Sequence, residues 1–100
     1  MKNLRISTGN PQNLKDEIHF KIANNLIQSW ELDDTDKYLS HKGTQYKDHF
    51  YFEHKVDKAK GILHFIFHSS GTSEFADSKA PQLLERMLQA HFGNIIEILK

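Results

Sequence analysis

The sequence predicts an α+β fold: an antiparallel sheet of three to five strands with two helices packed on one face, in the order (β)αβββα(β). Three observations carry this reading. Residues 49–68 alternate strictly between two faces along two arms joined by a short turn, as paired half-buried strands do. A stretch on either side of that hairpin repeats apolar residues at helical spacing. Turn residues rather than linkers separate the stretches, so residues 1–100 read as one compact domain large enough for a single core.

Residues 3–8 alternate weakly through Leu4, Ile6 and Thr8 and read as a short edge strand, broken by Gly9, Asn10 and Pro11. Asn10 ahead of Pro11, or Asn13 three residues before Asp16, can cap the helix that follows. Its apolar stripe runs through Leu14, Ile18, Ile22, Ala23, Leu26, Ile27 and Trp30, which predicts a helix to about residue 30. Glu17, Lys21, Asn24 and Gln28 lie opposite, and His19 projects near the middle of the stripe. Residues 31–36 (ELDDTD) read as an acidic connector, and residues 37–41 as a short strand before a turn at Gly43. That strand is expected to pair beside the hairpin, because an isolated two-stranded hairpin is marginal in water.

In the hairpin, Phe50, Phe52, His54 and Val56 share a face with Leu63, Phe65 and Phe67. The opposite face carries His49, Tyr51, Glu53 and Lys55 with Ile62, His64, Ile66 and His68. A four-residue loop over 58–61 pairs Asp57 with Ile62 and Phe52 with Phe67, whereas a two-residue loop pairs Phe52 with Phe65 and Glu53 with His64. Both registers keep the phenylalanines on one side, since only an odd slip exchanges faces. A polar loop, SSGTSEFADSK, follows with Phe75 as an anchor. The second helix is expected over 78–91, with Pro81 in its first turn, a stripe of Ala80, Leu84, Met87 and Leu88, and Gly93 as C-cap. The tail 94–100 reads as a last short strand.

The helix–three strands–helix order is similar to that of the double-stranded-RNA-binding domain, where basic residues at the start of the second helix grip phosphates. Here that position carries Glu74, Asp77, Ser78 and Lys79, so the resemblance is one of topology and implies no RNA-contacting residue.

Composition narrows the function classes. Thirteen basic and thirteen acidic side chains cancel, which argues against nucleic acid or an anionic membrane as partner. The chain has no cysteine, hence no disulfide framework, thiol catalysis or thiolate metal site. Gly43 and Gly71 stand alone rather than in a phosphate-cradling loop, and no cofactor is implied. With neither a signal-peptide-like apolar run nor a membrane-length segment, the chain reads as cytoplasmic. Its compositional oddity is seven histidines, whose titration makes charge pH-dependent in mild acid.

Several constellations compete for a role. The wet sheet face combines His49, Tyr51, Glu53, Ile62, His64, Ile66 and His68, a mixed apolar and polar patch of the kind that binds proteins. The same face offers His64, His68 and Glu53 as zinc-competent ligands, with the two histidines two pleats apart on one strand and an open position for hydrolytic water. His19, His54 and His91 all lie on inward faces, where convergence would make a metal site or an acid-sensitive switch and dispersal would leave them at the core margin. Ser40 beside His41, and Ser69 and Ser70 beside His68, are poor nucleophilic dyads, because neighbours on a strand point to opposite sides. The leading expectation is a non-enzymatic interaction module of inhibitor, immunity or adaptor type. It would present its open sheet face or an edge strand to another protein or to a second copy as a homodimer. The alternative is a metal-binding or metal-dependent hydrolytic domain on His64, His68 and Glu53.

Overall fold

The computed structural model describes residues 3–99, in the order β1 (Leu4–Thr8), α1 (Pro11–Ala23), β2 (Trp30–Leu32), β3 (Tyr38–His41), β4 (Phe50–Asp57), β5 (Ile62–Ser69), α2 (Glu74–Phe92) and β6 (Ile96–Leu99). The six strands form one antiparallel sheet, ordered β2-β3-β4-β5-β1-β6. The α+β class and the two helices agree with expectation, and the strand count exceeds it. The last strand is present, and β1 is an interior strand rather than an edge, because β5 and β6 pair on its two sides. These six strands also set the sheet apart from the three-stranded one of the RNA-binding topology.

The additional strand, β2, takes residues expected in the first helix and the acidic connector. Asn10 caps α1 by accepting the Asn13 N–H, with Pro11 at the first helical position where no amide is missed. The helix then stops at Ala23. Asn24 bonds back to the Phe20 carbonyl through both its backbone and its side chain, and Asn25 adopts a left-handed φ of 59°. The apolar spacing continues past this stop, but Leu26 faces solvent while Ile27 enters the core from a bend and Trp30 from the start of β2. The acidic segment is a structured turn: the Asp33 carboxylate accepts the Lys37 and Tyr38 amides, each at 2.9 Å, and so fixes where β3 begins.

The hairpin takes the four-residue loop, pairing Asp57 with Ile62, Val56 with Leu63 and Phe52 with Phe67. Gly61 closes it at φ +67°, and its carbonyl accepts the Thr8 N–H, tying the turn to β1. Helix α2 begins at Glu74, earlier than expected, because Ser73 accepts the Ala76 N–H and Glu74 and Asp77 favour the first turn. Phe75 is therefore helical and exposed, and Pro81 lies inside the helix beyond its first turn. At the other end Gly93 is needed for space, since a Cβ there would stand 2.7 Å from the Gln89 carbonyl oxygen.

One hydrophobic cluster joins sheet and helices. Ile6, Leu39, Phe52, Leu63 and Phe65 meet Leu14 and Ile18 of α1 and Ala80, Leu84 and Leu88 of α2. Both helices thus cover the same sheet face, where these fully buried side chains supply the main driving force for folding. Among the described residues no helix is long and apolar enough to cross a membrane.

Candidate functional site

The strand register decides what the uncovered face carries. Tyr38 of β3 pairs with Glu53 of β4, which pairs with Ile66 of β5; one register step along, Tyr51 pairs with His68 two residues away on the same face. The Tyr51 ring stacks on the His68 imidazole, with centroids 4.9 Å apart and planes 14° from parallel. Tyr38 meets Tyr51 edge-on at 4.8 Å, giving an aromatic row across three strands. His68 Nε2 lies 3.3 Å from Glu53 Oε1, and Lys55 Nζ lies 3.6 Å from Glu53 Oε2. Tyr51 is 36% exposed, and neither tyrosine hydroxyl has a hydrogen bond within the described residues. A phenol with a packed ring and an unpaired tip is suited to a contact at a wet interface.

The expected patch is brought together only in part. Tyr51, Glu53, Ile66 and His68 cluster. Ile62 does not join them as an exposed residue: it is 5% exposed, enclosed between Ser7 and Asp57 on its two paired neighbours. His49 precedes β4, and its Nδ1 bonds Thr72 Oγ1 at 2.6 Å, which ties it to the loop before α2. His64 pairs across from Lys55 and Arg5, away from Glu53. Tyr38, absent from the expected set, is central to the observed one. Alternation over 37–41 places it on a strand, but its face depended on a register set by the Asp33 turn.

The metal reading loses its geometry. Four residues of extended strand set the Cα atoms of His64 and His68 about 13 Å apart with their side chains projecting in parallel, whereas the donor atoms of two ligands of one zinc stand within about 4 Å of each other. Among the described residues no three histidine, aspartate or glutamate side chains are grouped to hold a metal ion. The proximity expected from two pleats on one strand underestimated that separation.

Two of the three inward histidines do converge. His19 Nε2 and His54 Nε2 are 2.8 Å apart, with the rings nearly perpendicular. His54 is 5% exposed, buried rather than marginal, and its Nδ1 has no hydrogen-bond partner among the described residues. Burial pushes the His54 pKa down to about 4, aided by His19 and Lys15 and opposed by Asp33 and Asp36. Burial also lowers that of His19. His91 lies elsewhere, beside the cleft that Trp30 and His41 line.

The chain matches no protein-family model, no curated protein and no solved structure.

Proposed function

We propose that this chain is a non-enzymatic protein-interaction module whose binding surface is the uncovered face of β3, β4 and β5. The supporting observation is the row Tyr38–Tyr51–His68, which lies on the side of the sheet opposite both helices. Such a row supplies rigid contact area at low side-chain entropy cost, and interface hot spots favour tyrosine for that reason. Its partner is another protein, a second copy of this chain included, whose apolar side chains pack on Tyr51 and Ile66 and whose acceptors meet the phenol hydroxyls.

The face is a better platform than either edge. The edge strands β2 and β6 span only Trp30–Leu32 and Ile96–Leu99, short ladders for strand addition. A zero formal charge adds no long-range attraction for nucleic acid or anionic lipid.

The test compares the wild-type chain with a variant carrying Tyr51→Ser and Ile66→Ser, each immobilised as bait. A partner retained by the wild type, lost by a folded double variant and re-bound by the wild type after its own purification supports the reading. Equal retention by both baits overturns it.

A further inference from the structure

A second site lies at the opposite side of the molecule and is independent of the sheet-face reading. The early stop of α1 leaves residues 24–29 as a run of turns and bends between α1 and β2, and this segment does not fill the space beside α2. The Ser29 carbonyl accepts the Lys42 N–H at 2.8 Å, which holds the segment against the end of β3. A cleft of about 220 Å³ remains between it, His41 and the C-terminal half of α2. An apolar cavity of about 150 Å³ suffices for benzene, so a ring with a short substituent fits this volume.

The lining has a consistent chemistry. Ile27, Trp30, Leu83 and Met87 supply apolar walls. Among the described residues the titratable side chains in the lining are Arg86, His41 and His91, with no carboxylate. Arg86 is exposed and makes no ion pair among the described residues. His41 Nδ1 accepts the Gly43 N–H at 2.9 Å, so in the neutral ring Nε2 carries the proton and is a donor. The ring is held edge-on between Trp30 and Tyr46, at 5.1 and 5.0 Å. An unpaired guanidinium and an oriented imidazole N–H above apolar walls match a ligand with an acceptor-only head and an apolar body.

We infer that this cleft binds a small carboxylate with a body of about one ring, its carboxylate directed to Arg86 and His41 and its apolar part against Ile27, Trp30 and Met87. A phosphate would leave the apolar walls without a complement, and a neutral molecule would leave Arg86 without a counter-charge.

Titration of isotope-labelled protein with phenylacetate, and separately with its neutral isostere phenylacetamide and with inorganic phosphate, tests the assignment by two-dimensional NMR. Phenylacetate should give saturable shifts at the Trp30 indole N–H and at the amides of Ile27, Ala90 and His91. Phenylacetamide and phosphate should bind more weakly by about tenfold or more, as should phenylacetate to Arg86→Gln, because a charge-assisted hydrogen bond is lost. Ala90→Phe, which projects a ring into the cleft from an exposed helical position, should abolish the shifts while the spectrum remains that of a folded chain. Equal binding of acid and amide, or undiminished binding by Arg86→Gln, would overturn the inference. So would an absence of saturable shifts at these groups up to about 10 mM, well above a millimolar Kd.

Discussion

His19 Nε2 and His54 Nε2 face each other at 2.8 Å, so one nitrogen donates and the other accepts, and both cannot carry a proton in this geometry. Helix α1 and strand β4 are thereby joined by a bond that exists only while the pair is incompletely protonated. The charges around it are Lys15 and Asp16 on α1 and Asp33 and Asp36 in the β2–β3 turn.

Acid should weaken the fold through this pair. The His54 pKa is depressed from an ordinary 6.5 to about 4, so between those values the unfolded chain binds a proton that the folded chain refuses. The contribution of this group is therefore complete above pH ~6.5 and is lost as the pH drops towards about 4, by up to roughly 3 kcal/mol. Denaturant unfolding measured at a series of pH values checks this; a flat profile across that window would contradict it.

Replacing His54 by Leu should remove much of that slope and raise stability at mildly acidic pH. The change deletes a buried nitrogen with no hydrogen-bond partner among the described residues and leaves His19, which is only half-buried, able to bond water. The comparison is the same denaturant series on His54→Leu, with the gain over wild type expected to grow as the pH falls below 6.5 and to level off below about 4.

The two faces of β4 should respond unequally to truncation. Phe52→Ala empties a fully buried position and should cost about 3–5 kcal/mol. Tyr51→Ser, on the other side of the strand, should cost about 1 kcal/mol or less. Thermal unfolding of the two variants distinguishes them, and similar losses would mean that the uncovered face is core.

Much of this architecture was legible in the chain. The strict alternation over 49–68 fixed which hairpin residues share a face, and side-chain parity made that independent of loop length. Asn10 with Pro11, and Gly93, marked helix ends by local chemistry. The stop of α1 was hidden, because Ile27 and Trp30 keep helical spacing while reaching the core from a bend and from a strand; Asn24 and Asn25 were its only local sign. The start of α2 was misplaced because Ser73 and Ser78 are both plausible caps, and a proline is more readily assigned to a first turn than to a helix interior. On the uncovered sheet face, Tyr51, Glu53, Ile66 and His68 followed from alternation alone. Tyr38 required the β3 register, and the burial of Ile62 required knowing that β1 lies beside β5.

Gly61→Ala should destabilise the hairpin by about 1–2 kcal/mol. Its φ of +67° disfavours a side chain, and a Cβ there would come 3.1 Å from the Thr8 carbonyl oxygen. Loss of the tie between the turn and β1 should appear as faster hydrogen exchange at the Thr8 amide, measurable by NMR.

The central claim, that the uncovered face of β3–β5 is a protein-binding surface, is tested most directly by the footprint of a bound partner. Labelled chain, alone and saturated with the purified partner, would be compared by backbone and aromatic NMR shifts. The account predicts that the largest changes fall on Tyr38, Tyr51, Glu53, Ile66 and His68, with α1 and α2 little altered. Changes concentrated on the exposed sides of the helices, with those five residues unmoved, would contradict it.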